Sequence, residues 1–442
     1  MSFILYLIFV SFVFVKPFET IAPEMAQYNP MVYFAIFTLA AAAPQALSSK
    51  LRVATPLHFA CLIGLIITIA LSWLTKGWVG GAGQSLLRSA PSLVLFLLTL
   101  VLVTSRQRLN TLLAVIVLLV TFIVSVTLFD YHYSTFNNTF VLMQSGITQD
   151  SSVTWTSAGS SSDVSSSIKR LRWVGELSDP NDLGQVIILA LPLLFSFWRS
   201  DRFLRNLIII ALPAIILLYG VFLTQSRGAI VGLVAVVFVL VYRRYGRNYA
   251  LILSPIVLLA LIMGGGTGGR EFSTSESSAS GRLDAWSAGI EMLRSNPITG
   301  VGFGGFLDHH ILTAHNSFVL VFAELGLIGY FFWFGLIVVA AMELLTGYRA
   351  RITSGTPPQE LAFISQSFVG YLACAWFLSR SYSNSFFLLI GLTICAGRLA
   401  YLQTSTSDRI AAGRWFRLTT LYSLFSIVFI YLLLIVNNLI FK

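Results

Sequence analysis

Long apolar runs broken by short polar turns dominate this chain. Runs at 2–16, 31–47, 57–75, 91–104, 110–129, 183–198, 206–224, 228–242, 248–264, 316–345, 360–378, 384–404 and 418–438 approach or exceed a bilayer span, which takes about 20 predominantly apolar residues as a helix. They predict 13 membrane helices, or 12 if the first lies flat at the interface. Two long connections interrupt the rhythm. The chain therefore divides into N-terminal helices (1–129), a first long loop (130–182), central helices (183–264), a second long loop with an amphipathic helix (265–315) and C-terminal helices (316–442). No internal repeat of the kind that builds many transporters is visible.

Composition fits this picture. Hydrophobic residues make up 56% and charged residues 10% of the chain, against about 25% charged in soluble domains. That is too little polarity to cover a water-facing surface, so the fold class is an all-α polytopic membrane protein. The first run, Phe3 to Val15, lacks the basic segment and small-residue cleavage site of a signal peptide and reads as a span or an anchor. Cys61, Cys374 and Cys395 lie inside apolar runs, where free thiols behave as small hydrophobes. They form neither a disulfide framework nor a metal site.

The net charge of +10 follows the topology. Lys50/Arg52, Arg106/Arg108, Arg199/Arg202/Arg205, Arg243/Arg244/Arg247, Arg349/Arg351 and Arg409/Arg414/Arg417 fall in every second connection. Short loops rich in Lys and Arg stay on the cytoplasmic side. The clusters place the N-terminus inside and account for most of the excess charge, so no nucleic-acid partner is expected. The two long loops then face outside. They are rich in Ser, Thr and Gly at their starts ("SSVTWTSAGSSSDVSSS", "GGGTGGREFSTSESSASG") and more specific towards their ends. Chemistry is expected on this outer face.

Cations are disfavoured there, so each of Lys16, Lys76, Arg88, Lys169, Arg170, Arg172, Arg227, Arg270, Arg282, Arg294 and Arg380 needs a reason. Arg227, in "LTQSRGAIVG", stands between two apolar runs with almost no loop. An arginine at membrane depth either faces a cavity or partner or snorkels to anchor a helix end. A guanidinium fork suits phosphate. Arg282 opens "GRLDAWSAGIEML", whose Leu283, Trp286, Ile290 and Leu293 share one face of an interfacial helix; an Arg282 pair with Asp284 or Glu291 explains it equally well. In "ELSDPNDLGQ", Asp179 or Asn181 is placed to cap the helix that follows, or to present polar groups to a substrate, with Arg172 just upstream. Arg380, in "LSRSYSNSFF", either joins a phosphate cluster or closes a helix end.

The stretch "GVGFGGFLDHHILTAHNSFVLVFAELGLIG" holds three histidines. His315, followed by Asn316 at a helix start, is a candidate general base or an interfacial capping residue. His309 and His310 are adjacent and point apart, so they form no ligand pair. The glycines fit a tight turn back to the membrane; no Lys-Ser/Thr follows, so this is no phosphate-binding P-loop. Glu324 is an acid inside a span, functional by default, or the place where a half-helix breaks at "ELGLIG".

Taken in order, "SDPNDLG", "LTQSRGAIVGLV", "RLDAWSAGIEMLRSNPITGVGFGGF" and "AHNSFVLVFAELGLIGYFFW" resemble the O-antigen ligase/polymerase family, from about residue 172 to 335. The resemblance implies a GT-C-like glycosyltransferase of the bacterial inner membrane that works on the periplasmic face. It implies a donor glycan on undecaprenyl diphosphate and an acceptor hydroxyl on lipid A core, protein or another glycan, the last making the enzyme a polymerase. It assigns His315 as the base and Arg227 and Arg282 as diphosphate ligands, with Arg172 and Arg380 matching less closely and Asn316, Glu324 and Asn181 in support. Direct displacement with inversion is expected. No metal or other cofactor is expected, since no ligand cage and no glycosidase carboxylate pair stand out. Two rivals remain. A transporter of lipid-linked glycan needs cations on both sides of the midplane. A peptidoglycan-polymerising relative needs an outer-loop acid, for which Asp179, Asp182, Asp284 and Asp308 are available.

Overall fold

The computed structural model describes residues 1–47, 53–145, 167–263, 277–354, 358–402 and 410–440. Its main helices are α1 (Ser2–Val15), α2 (Pro30–Leu47), α3 (Pro56–Leu74), α4 (Val79–Leu102), α5 (Arg106–Tyr133), α6 (Pro180–Leu194), α7 (Phe203–Thr224, π-helical over Leu207–Ala211), α8 (Arg227–Tyr245), α9 (Arg247–Met263), α10 (Ser277–Ser295), α11 (Ser317–Ser354), α12 (Gln359–Ala375), α13 (Asn384–Tyr401) and α14 (Ala412–Ile440). Among the described residues, 10 helices are long and apolar enough to cross a membrane, and two apolar helices, Pro30–Ala46 and Arg247–Leu261, are shorter. With α12, every apolar run named above coincides with a helix. The chain is an all-α polytopic membrane protein. Residues 146–166 and 264–276, with most of both Ser-rich tracts and Arg270, and Lys50, Arg52 and Arg409 lie outside the described residues.

Several bounds move. α4 begins at Val79, not 91, and carries Pro91 inside it. Hydropathy misses its first turns because the face that packs there is polar: Ser85, Ser89 and Ser92 recur at helical spacing and are buried. Ser89 returns its hydroxyl proton to the Ser85 carbonyl at 2.9 Å, which makes burial tolerable.

The first long loop folds back onto its helix. Asp130, near the end of α5, accepts backbone protons from Phe136 at 2.7 Å, Asn138 at 3.2 Å and Phe140 at 2.9 Å. Strand β1 (Val141–Ser145) then pairs antiparallel with β2 (Ser167–Leu171), Val141 opposite Leu171. Phe140 stacks on Trp173 at 4.4 Å, whose indole donates to the Val15 carbonyl at 3.2 Å.

The amphipathic helix α10 exists, but its apolar face does not lie free at an interface. Trp286, Ile290 and Leu293 are buried in the protein, and Gly289 sits so close to Val319 of α11 that a side chain would collide. Glu291 pairs with Arg294 at 3.3 Å on the exposed side.

Helix α11 is broken. Gly326 takes φ 65°, ψ −168° in mid-helix, and the residues 297–302 fill the gap. Val301 and Gly302 donate to the carbonyls of Ala323 at 2.9 Å and Glu324 at 3.0 Å, while Leu327 donates to Pro297 at 2.8 Å. These bonds restore partners that the break removes, a requirement for irregular backbone at membrane depth. The left-handed Gly300 permits this approach: a methyl there would overlap the Glu324 carbonyl. The "ELGLIG" break and the glycine turn are thus one feature, a clamp.

Candidate functional site

Five segments converge at the helix ends where α6, α8, α11 and α13 begin. The first is the start of α6. Asp179 is its N-cap, accepting from the backbone of Asn181 at 2.7 Å and from the Asn181 amide at 2.8 Å. Pro180 occupies the first helical position, where no N–H is required. Gly184, one turn on, rests against Ser226 and Ala229 with no room for a side chain. That contact brings α6 onto the turn between α7 and α8.

The second segment is that turn. Gln225 is left-handed, φ 48°, and Ser226 caps α8 by accepting from Ala229 at 3.2 Å. Arg227 is therefore the first residue of α8 and is half-buried. Its neighbour Gly228 packs against Phe377, which sets Arg227 beside the 376–383 turn.

The third segment, β2, brings Arg170 and Arg172 to the same end. Arg170 is buried, and its Nε donates to the last carbonyl of α7, Thr224, at 2.9 Å. Its Nη2 reaches Asn181 Oδ1 at 3.3 Å. Arg170 thus pins the hairpin to α6 and α7, and Asn181 is engaged in that tie. Arg172 is half-buried, with Nε shut from solvent and no hydrogen-bond partner on it among the described residues.

The fourth segment runs into α11. Asn316 is buried and caps the helix, its Oδ1 accepting from Phe318 at 2.9 Å and Val319 at 3.2 Å. His315 just before it is half-buried and left-handed, φ 47°. A side-chain-bearing residue in that region costs on the order of 1–3 kcal/mol, so the surroundings must hold it. Trp286 of α10 does so, donating to the Ala314 carbonyl at 2.9 Å. Burial and the charge on Arg282 push the His315 pKa below the ordinary histidine value, Asp179 pulls it up and Arg380 pushes it down again. His315, Arg282, Asp179 and Arg380 therefore share one electrostatic neighbourhood.

The fifth segment is the 376–383 turn. Ser317, the first residue of α11, receives the Arg380 backbone N–H at 3.1 Å and donates to Leu378 O at 2.6 Å; Ser381 donates back to Ser317 O at 2.8 Å. The Arg380 guanidinium is paired with the buried Asp182. Burial opposes the Arg380 charge, but Asp182, with Glu176 and Asp179 beyond it, outweighs burial and raises its pKa. Glu176 in turn accepts from the Asn384 amide at 2.8 Å.

The predicted residues Arg227, Arg282, Arg380, His315, Asn316 and Asn181 thus gather at one end of the bundle, with Arg172 at its edge. Glu324 stands apart, under the glycine clamp. Three acids escaped the sequence reading as a set: Glu176, Asp179 and Asp182 recur every third residue around Pro180, a spacing that signals a helix start facing a cation. Asp284 and Asp308 are exposed. His309 Nδ1 lies 3.0 Å from Gly305 O and His310 Nδ1 lies 2.8 Å from Leu312 O, contacts within their own loop. Among the described residues, no three His, Cys, Asp or Glu side chains assemble as a metal set.

The unusual cations are not confined to this end. Near the far ends of α11 and α13, buried Glu343 faces Arg398 at 3.7 Å and His58 Nε2 at 3.3 Å, and accepts from Tyr401 at 2.7 Å. His58 Nδ1 accepts from the Thr55 backbone at 3.1 Å. This cluster compensates its own charge and ties α3, α11 and α13 together.

Residues 212–334 match the family model described as O-antigen ligase. The matched segment contains Arg227, Arg282, His315, Asn316 and Glu324; Arg172, Asn181 and Arg380 lie outside it. No curated protein matches the chain.

Proposed function

We propose that this chain, with its O-antigen ligase family segment, is a bacterial inner-membrane glycosyltransferase acting at its periplasmic face. Its donor is a glycan on undecaprenyl diphosphate and its acceptor a saccharide hydroxyl. His315 removes the acceptor proton. The acceptor oxygen attacks the anomeric carbon as the bond to the diphosphate breaks, and the electron pair leaves with the diphosphate. Arg227 and Arg282, with Arg172 at the edge, stabilise the charge that develops there. Direct displacement inverts the anomeric centre and draws on no metal.

The observation that carries this reading is His315 itself: a neutral-leaning imidazole in a held, left-handed backbone, with Arg282 and Arg380 acting on it. General-base assistance contributes typically 10²–10⁴-fold. Of the two readings of Arg380, its pair with Asp182 favours the one that closes a helix end over a phosphate ligand. The transporter reading loses ground because the second buried cation, Arg398, is matched by Glu343 in a closed cluster.

The test uses the purified full chain in nanodiscs with a lipid-linked glycan donor and lipid A core as acceptor. His315→Ala should abolish transfer with thermal stability retained; turnover at the wild-type rate removes His315 as the base. Transfer should persist in EDTA. In cells, deleting the gene should strand full-length glycan on its lipid carrier; single repeat units still attached to their acceptor would mark a polymerase instead.

A further inference from the structure

Arg88 has no place in the site just described, although it is a cation in a membrane helix. It is exposed and lies well inside α4 rather than at its end. Such a residue faces a polar recess or pairs with something. Its neighbours answer which. Arg88 Nη1 is 3.6 Å from where a methyl on Gly304 would stand, and its charge acts on Glu324.

Glu324 is 3% exposed. Its Oε1 accepts from the Phe306 backbone at 3.4 Å, and the buried Tyr382 hydroxyl lies against the carboxylate as its hydrogen-bond partner. Buried polar atoms are seldom left without partners, and these two meet each other. Two tryptophans flank the same loop. Trp73 donates to Phe303 O at 3.1 Å, and Trp78, 47% exposed, stands edge-on to it at 4.8 Å.

We propose that Trp73, Trp78, Arg88, Gly304, Glu324 and Tyr382 form the subsite for the acceptor's saccharide. The inference rests on the glycosyltransferase reading and deepens it. The 380–382 turn divides the two substrates: Arg380 turns to Asp182, whereas Tyr382 turns to Glu324 and packs on Phe303 at 4.5 Å. A diphosphate wants cations only, and a carboxylate repels it. A sugar ring offers hydroxyls that both donate and accept, which suits a carboxylate, a phenol and a guanidinium together. Its apolar face suits an exposed indole. A sugar hydroxyl beside the exposed Gly304 meets the Arg88 guanidinium, with the Glu324–Tyr382 pair behind it.

The experiment measures transfer by the full chain in nanodiscs, varying lipid A core and lipid-linked donor separately, for wild type, Arg88→Gln, Trp78→Ala and Tyr382→Phe. Arg88 and Trp78 are exposed, so their variants keep the fold. The expected result is a tenfold or greater rise in acceptor KM for Arg88→Gln, with donor KM within twofold. Unchanged acceptor KM in all three variants, or a rise in donor KM instead, overturns the subsite while transfer itself upholds the enzyme. If the wild type transfers nothing, binding of the delipidated core oligosaccharide is measured directly. Binding lost in Arg88→Gln supports the subsite and removes only the enzyme reading; absence of binding removes both.

Discussion

Trp286 of α10 donates its indole proton to the carbonyl of Ala314 at 2.9 Å, one residue before His315. Through this bond the second long loop grips the backbone that carries the candidate base. The helix holds the loop by its buried face, and the loop holds His315 in a conformation it would not keep alone.

Trp286→Phe keeps the buried ring and deletes the bond. A neutral hydrogen bond is worth about 0.5–1.5 kcal/mol, so the melting temperature should fall by only a few degrees. Turnover should fall about tenfold or more, because misplacing a catalytic group by 1 Å can cost ~10²-fold. A fall in turnover no larger than the loss of folded protein would show that the bond acts on stability rather than on the base.

The pH profile follows from the shift of His315. A base works when neutral, and burial with Arg282 lowers its pKa, so kcat/KM should rise through an acid limb centred below about 6.5 and be flat through neutral pH. Asp179→Asn removes the anion that pulls the pKa up, while asparagine caps a helix as well as aspartate does. Its limb should therefore move to still lower pH with the fold retained. A limb that moves upward contradicts the assignment.

Asp182→Asn leaves Arg380 without its counter-ion. Breaking a buried pair from one side costs about 3–5 kcal/mol; Arg380 keeps 32% exposure, so the lower end is expected. Thermal unfolding in detergent reads the loss. Arg380→Gln in the same background, which removes the uncompensated charge, should recover part of the stability.

Two glycines of one loop should answer alanine differently. Gly300→Ala meets both a left-handed φ of 68° and the Glu324 backbone, so the clamp cannot close and the protein should become protease-sensitive. Gly304→Ala has a φ of 75° but nothing nearer than Arg88 at 3.6 Å, and should cost only about 1–2 kcal/mol. Equal stability of the two variants would remove the clamp as the reason for the break in α11.

What the sequence determined by itself is what neighbouring residues encode. Apolar run lengths set the helices, and the ordered motifs drew Arg227, Arg282 and His315 into one group. Run length missed most at the start of α4, where the packed face is serine. The tertiary structure decided the partners. Arg380 meets Asp182 across 198 positions, a pairing that no local pattern shows. Arg170, which the sequence offers only as one of several outer-loop cations, is the one that ties the hairpin down. The glycine loop and the "ELGLIG" break became one object only when the carbonyls freed by Gly326 met the N–H groups of Val301 and Gly302. Hydrophobic spacing is written along the chain, whereas charge compensation and backbone satisfaction depend on which distant segments come to share a place.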